Sequence, residues 1–305
     1  MSNFDLIVSG GTLATASDTF KSDIGVKDGR IVALAENLNG AEITFDATNK
    51  FVLPGGVEAH CHIEQESAAG IMTADDYKSG SISAAFGGNT TIIPFAAQHR
   101  GQNLRDVVKT YHERAEPKSV IDYTFHLIIS DPTEQVLGQE LPALIMDGYT
   151  SFKVYMTYEL LKIDDGQMLD VLTVARRHGA MTMVHAENNE VINWLASKLI
   201  DNGNTEPKFH AIAHARIAEA EASQRAIQLA RLVDTPILIV HVSTEEAANA
   251  ILAARNKGLK IYGETCPQYL FLTADDLDRG APKVQNSAAA RHLETRRTRK
   301  LFGVA

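Results

Sequence analysis

Short apolar runs alternate with amphipathic stretches over most of this chain, and that alternation predicts a repeated strand-helix order. Seven runs carry the strand pattern: residues 57–63, 90–95, 122–129, 150–156, 181–185, 237–242 and 260–265. Between them, residues 75–86, 104–115, 133–146, 167–178, 214–232 and 245–256 place apolar side chains at helical spacing. Gly87, Gly148, Gly179 and Gly258 stand where several of these stretches should stop. A repeated β-α order implies a parallel sheet with both faces covered.

The first 54 residues follow another pattern. Leu6-Ile7-Val8, Ile24-Gly25-Val26 and Ile31-Val32-Ala33-Leu34 are short strand-like runs, and Asp28-Gly29 is a hairpin signal between the last two. The chain therefore divides into a small N-terminal β unit (1–54), an α/β unit (55–279) and an atypical tail (280–305). For the middle unit, a (β/α)8 TIM-like barrel with seven recognisable strands fits better than a doubly wound sheet. Such a barrel gathers its chemistry at the carboxyl ends of several different strands. His60 and His62 end the first run, Lys153 lies in the fourth, His185 ends the fifth, and His241 lies near the end of the sixth.

Composition narrows the function classes. With 305 residues, 45% hydrophobic and 22% charged, the chain has material for a sizeable core. A formal net charge of -9 argues against a nucleic-acid partner, because phosphate binding needs clustered Lys and Arg, and a small substrate fits better. Cys61 and Cys266 cannot build a disulfide framework, and Cys266 reads as a packed thiol. No stretch reaches the roughly 18 apolar residues of a membrane span. Residues 1–5 lack the start of a secretory signal, so the cytoplasm is the expected location.

His60-Cys61-His62 is the sharpest local feature, since a strand of period two turns both imidazoles to one face and Cys61 to the other. An H-x-H pair alone is weak evidence, equally readable as two hydrogen-bonded histidines. His185 and His241, each closing an apolar run, would singly read as core residues. Together the four form a nitrogen set suited to zinc and other borderline metals. Lys153 is an ammonium inside Ser151-Phe152-Lys153-Val154-Tyr155-Met156, where an unpaired buried charge is costly. By spacing alone it also reads as a lysine snorkelling from a strand end.

Five segments, in order, resemble signatures of the hydantoinase/dihydropyrimidinase branch of the metal-dependent cyclic amidohydrolases. They are residues 54–62 (PGGVEAHCH), 151–158 (SFKVYMTY), 184–188 (VHAEN), 240–243 (VHVS) and 264–270 (ETCPQYL). The resemblance implies two divalent metal ions, zinc first, bridged by a carboxylated Lys153. His60, His62 and Lys153 would hold one ion, and Lys153, His185 and His241 the other. It implies hydrolysis of a cyclic amide, a dihydropyrimidine or a 5-substituted hydantoin, by a metal-activated hydroxide whose pKa lies near about 7. It also implies that Tyr158 donates its hydroxyl to the oxyanion, although by itself Tyr158 reads as a packing residue. Related dihydroorotases carry an arginine where this chain has Glu64, which favours a neutral cyclic diamide. The full-length family is expected to be homotetrameric.

The same resemblance expects an eighth strand, with an aspartate serving as metal ligand and general base, beyond about residue 280. Gly280 to Ala305 is instead Ala- and Arg-rich, with Arg291, Arg296, Arg297 and Arg299 close together. A truncation, a change of reading frame or divergence would each account for this, and each implies impaired activity. Two further readings stand beside the hydrolase: an inactive relative kept for oligomer contacts or as a scaffold, and a dihydroorotase- or allantoinase-type enzyme.

Overall fold

The computed structural model describes residues 3–67 and 70–278. They fall into two compact units, one of residues 1–58 and 84–91, the other of residues 59–83 and 92–305. The expected atypical tail and absent eighth strand fall on residues 279–305, outside the described ones.

The first unit is built of short strands: β1 (Phe4–Ser9), β2 (Thr12–Ala14), β3 (Thr19–Lys21), β4 (Asp23–Lys27), β5 (Arg30–Ala35), β6 (Ala41–Asp46) and β7 (Phe51–Val52). They make a four-stranded sheet in the order β5-β4-β1-β6 and a three-stranded sheet β3-β2-β7. β4 and β5 pair antiparallel with Lys27 opposite Arg30. Asp28 and Gly29 between them both take positive φ, 50° and 69°, the pair of left-handed residues that a two-residue turn matched to strand twist requires. The Asp-Gly hairpin signal is thus met. The sequence pattern nevertheless showed only three of the seven strands: β2, β3 and β7 are two or three residues long and carry no periodicity, and the six-residue β6 was missed as well.

The remaining strands are β8 (Gly56–Cys61), β9 (Asn89–Ala97), β10 (Asp122–Tyr123), β11 (His126–Ile128), β12 (Ser151–Tyr155), β13 (Met181–His185), β14 (Ile237–Ile239) and β15 (Ile261–Gly263). With β10 a short extension beside β9, the sheet runs β8-β9-β11-β12-β13-β14-β15. The ladders from β9 to β15 are parallel, and with β8 beside β9 the described residues carry seven strands of a (β/α)8-type barrel. The expected run 122–129 breaks into two strands at Thr124 and Phe125. Register across β12 and β13 sets Lys153 beside Met183 and Tyr155 beside His185.

Helices α1 (Tyr77–Phe86), α2 (Leu104–Ala115), α3 (Leu141–Met146), α4 (Asp165–His178), α5 (Asn189–Asp201), α6 (Phe209–Ala213), α7 (Arg216–Val233) and α8 (Glu245–Arg255) return the chain between strands. α2 has the bounds its periodicity predicts, with the Asn103 side chain accepting from Arg105 and Asp106 N–H at its start. The stretch 133–146 does not form one α-helix. Pro142 has no N–H and its ring crowds the preceding turn, so a π-turn over Val136–Glu140 precedes α3. α5 and α6 were not foreseen, and the stretch expected from 214 begins as α7 at Arg216. Among the described residues no helix is long and apolar enough to cross a membrane.

The core of the second unit sits between strands and helices. Phe95, Leu127, Ile128, Phe152, Val154, Val184 and Ile239 on the strands and Leu104, Val171, Leu172, Ala222 and Ala226 on the helices are all buried.

Candidate metal centre

The strand period places the polar side chains. In β12, Lys153 and Tyr155 share one face, and ladder register brings His185 at the end of β13 alongside Tyr155, their rings stacked at 5.0 Å. His60, in β8, has its ring 5.5 Å from that of His62 and 5.7 Å from that of His241, and His241 lies 4.7 Å from His185. Lys153, 1% exposed, puts Nζ 3.0 Å from His60 Nε2 and over the faces of Phe95 and Tyr155. The four histidines and the lysine picked from sequence therefore meet at one end of the sheet. Tyr158 joins them at the edge, its ring 5.0 Å from His185.

Backbone strain marks the same region. His241 takes φ 43°, Tyr158 φ 70° and Glu64 φ 46°, conformations that L residues hold only where their surroundings impose them. His241 lies two residues past the end of β14, so it belongs to the turn after the strand and not to the strand run expected from its sequence.

Each of three imidazoles turns one nitrogen toward the cluster's surroundings and meets a polar partner there. His60 Nδ1 contacts Glu264, His62 Nδ1 lies 2.7 Å from Gln65 Oε1, and His185 Nε2 lies 2.8 Å from Glu187 Oε2. A carboxylate can only accept, so His60 is protonated on Nδ1 and offers its Nε2 lone pair toward Lys153. By the same argument His185 is protonated on Nε2 and carries its lone pair on Nδ1. Metal-ligating histidines characteristically hold their second nitrogen on such a partner. Among the described residues no three His, Cys, Asp or Glu side chains are drawn together tightly enough to hold a cation by themselves. The amine of Lys153 stands among them. The donor chemistry, imidazole lone pairs around an amine that can become a carbamate, fits divalent ions of the zinc type.

Sequence reasoning assigned no role to Glu264, Glu187, Gln65 or His214. Glu187 and Glu264 lie in the quoted segments. Glu187 lies two residues from its partner His185, but the pairing of Glu264 with His60, 204 residues apart, is a tertiary fact. Buried carboxylates continue behind the cluster. Glu219, on α7, accepts from Ser243 and Thr244, and desolvation pushes its pKa up against those hydrogen bonds. His126, beneath His60, sits 2.6 Å from Ser151 Oγ and 2.9 Å from the carbonyl of Ala59, and burial lowers its pKa.

Glu64 is occupied elsewhere. Its carboxylate lies 2.5 Å from Lys118 Nζ and accepts from the N–H of Tyr77 at the start of α1, while Arg114 donates to its carbonyl. It works as a helix-start and ion-pair residue, and the position holds no cation for a substrate carboxylate.

No family model matches the chain. It is 44% identical over 277 residues to a D-hydantoinase of Geobacillus stearothermophilus, covering 90% of this chain and 58% of that protein. It is 36% identical over 276 residues to a dihydropyrimidinase of Arabidopsis thaliana, covering 89% of this chain and 51% of that one. A solved D-hydantoinase structure superimposes with a TM-score of 0.94 at 37% identity, covering 99% of this chain and 67% of its own. The chain thus spans between half and two thirds of the length of these relatives.

Proposed function

This chain belongs to the family of the D-hydantoinases and dihydropyrimidinases, and on that premise we propose that it is a metal-dependent hydrolase that opens cyclic amides. The observation that carries the reading is the convergence of His60, His62, His185 and His241 on the buried amine of Lys153. His60, His62 and Lys153 would hold one divalent ion, and Lys153, His185 and His241 the other, with zinc the first choice. When bound, such ions lower the pKa of water and polarise the scissile carbonyl.

The residues of the chain supply the rest. Lys153 is buried, and its amine, when neutral, can attack carbon dioxide. The new N–C bond replaces one N–H, whose proton leaves to solvent, and the resulting carbamate offers two oxygens for bridging. Tyr158, at the rim of the cluster and 38% exposed, can reach a bound ring. Its hydroxyl donates to the oxyanion of the tetrahedral intermediate. With no cation at position 64, a neutral five- or six-membered diamide is the substrate class.

The test is a substrate comparison on the chain loaded with zinc and bicarbonate. Dihydrouracil or a 5-substituted hydantoin should be opened with a higher kcat/KM than dihydroorotate. A preference for dihydroorotate would remove the argument from position 64. Failure to open any of these rings with two ions bound would refute the hydrolase reading and favour the scaffold alternative.

A further inference from the structure

Behind His185 the polar contacts continue away from the cluster. His185 Nε2 lies 2.8 Å from one oxygen of Glu187, and His214 Nδ1 lies 2.9 Å from the other. All three side chains are shielded from water, with side-chain exposures of 2%, 7% and 10% for His185, Glu187 and His214. Beyond His214 the ring of His210 follows at 4.2 Å, and His210 is exposed. His214 is held by its backbone: it caps α6 with φ -91° and ψ 55°, and its N–H returns to His210 O. α7 starts two residues later at Arg216. His214 has no place among the residues that gather around Lys153.

We propose that His214 and Glu187 are positioning residues that fix the tautomer and ring orientation of His185. The inference rests on the reading of His185 as a metal ligand given above. A carboxylate between two imidazoles accepts from both. His185 is then held as the Nε2–H tautomer with its lone pair on Nδ1, and His214 as an Nδ1–H donor. A single donor would leave the Glu187 carboxylate able to rotate. Donors on separate oxygens set its plane, and that plane sets the direction of the His185 ring. The stack of His210 on His214 extends the arrangement to the surface, so that His214 is braced on both sides.

Two substitutions in the full 305-residue chain separate donation from packing. His214→Asn keeps an N–H near the position of Nδ1 but loses the ring. His214→Phe keeps the ring and its stack on His210 but cannot donate. Zinc affinity is measured by competition with a chromophoric chelator, and the nitrogen-15 shifts of His185 are read in the metal-free chain. His214→Phe should weaken zinc binding by about 10- to 100-fold and release His185 into a mixture of tautomers, while His214→Asn keeps both wild-type values. The reverse order, or wild-type values in both, overturns the proposal. Glu187→Met removes both acceptor oxygens and should also mix the tautomers; a single unchanged tautomer there counts against the proposal. If the wild-type chain takes up no zinc, the metal reading fails by itself. The nitrogen-15 comparison still decides whether His214 positions His185.

Discussion

Lys153 Nζ and His60 Nε2 stand 3.0 Å apart although 93 residues separate them in sequence. The contact is chemically directed: Glu264 accepts from Nδ1–H of His60, so the lone pair of Nε2 faces the amine. The Nε2 lone pair and the faces of Phe95 and Tyr155 offset part of the cost of burying the Lys153 nitrogen.

Replacing the amine should therefore separate stability from metal binding. Lys153→Met preserves most of the buried volume without a charge to desolvate, so its thermal midpoint should equal or exceed that of the wild type. Its zinc content should fall to a small fraction. Calorimetry with elemental analysis checks both, and equal zinc in the two chains would exclude Lys153 as a ligand.

Tyr158→Phe removes only a hydroxyl. Because the backbone at Tyr158 is held at φ 70° and its ring lies 5.0 Å from His185, the phenylalanine should occupy the same place. A kcat lower by roughly 10²- to 10³-fold, with zinc content unchanged, is expected for loss of one oxyanion donor. Unchanged turnover would leave Tyr158 a packing residue.

Phe95 joins the core to the candidate centre. Its ring is fully buried, stacks on His62 at 4.9 Å and meets His60 and His126 edge-on or tilted at 5.0 and 5.2 Å. Phe95→Ala should cost about 3–5 kcal/mol of unfolding free energy and weaken zinc binding as well, because His60 and His62 lose the surface that aligns them. Chemical denaturation and zinc competition measure the two effects. A loss of stability with full zinc affinity would show that the imidazoles are aligned by other contacts.

The buried His126 gives the fold a pH dependence. Its folded pKa is depressed below the ordinary value of 6.5, first by desolvation. Below pH 6.5 the unfolded chain thus takes up a proton that the folded chain refuses. This contribution is complete above pH 6.5 and is lost as pH falls through the folded pKa. His126→Asn, which keeps a donor for the Ala59 carbonyl, should flatten the fall of the unfolding midpoint on that acid side. An unaltered slope would assign the dependence to other groups.

Much of this was legible in the sequence, for definite reasons. α2 was found residue for residue because its apolar positions Leu104, Val107, Val108 and Tyr111 recur at helical spacing and are buried, and Asn103 caps it. His60, His62, Lys153, His185 and His241 were found because barrel strands end on one side, so residues far apart in the chain converge. α5 was overlooked although Asn188, Glu190 and Lys198 mark its ends; only Asn189 and Ile192 of its thirteen residues are buried. The break before α3 depended on where Pro142 fell relative to the turn before it, which periodicity does not weigh. The partners Glu264 and His214 follow from tertiary geometry alone, whereas Gln65 lies only three residues beyond His62.

The most direct test of a metal centre built on Lys153 is carbon-13 NMR of the chain loaded with zinc and labelled bicarbonate. The wild type should give one carbamate carbonyl resonance that rises with zinc to saturation and is absent from Lys153→Met. Two zinc ions bound per wild-type chain with no carbamate resonance would contradict the bridging role of Lys153.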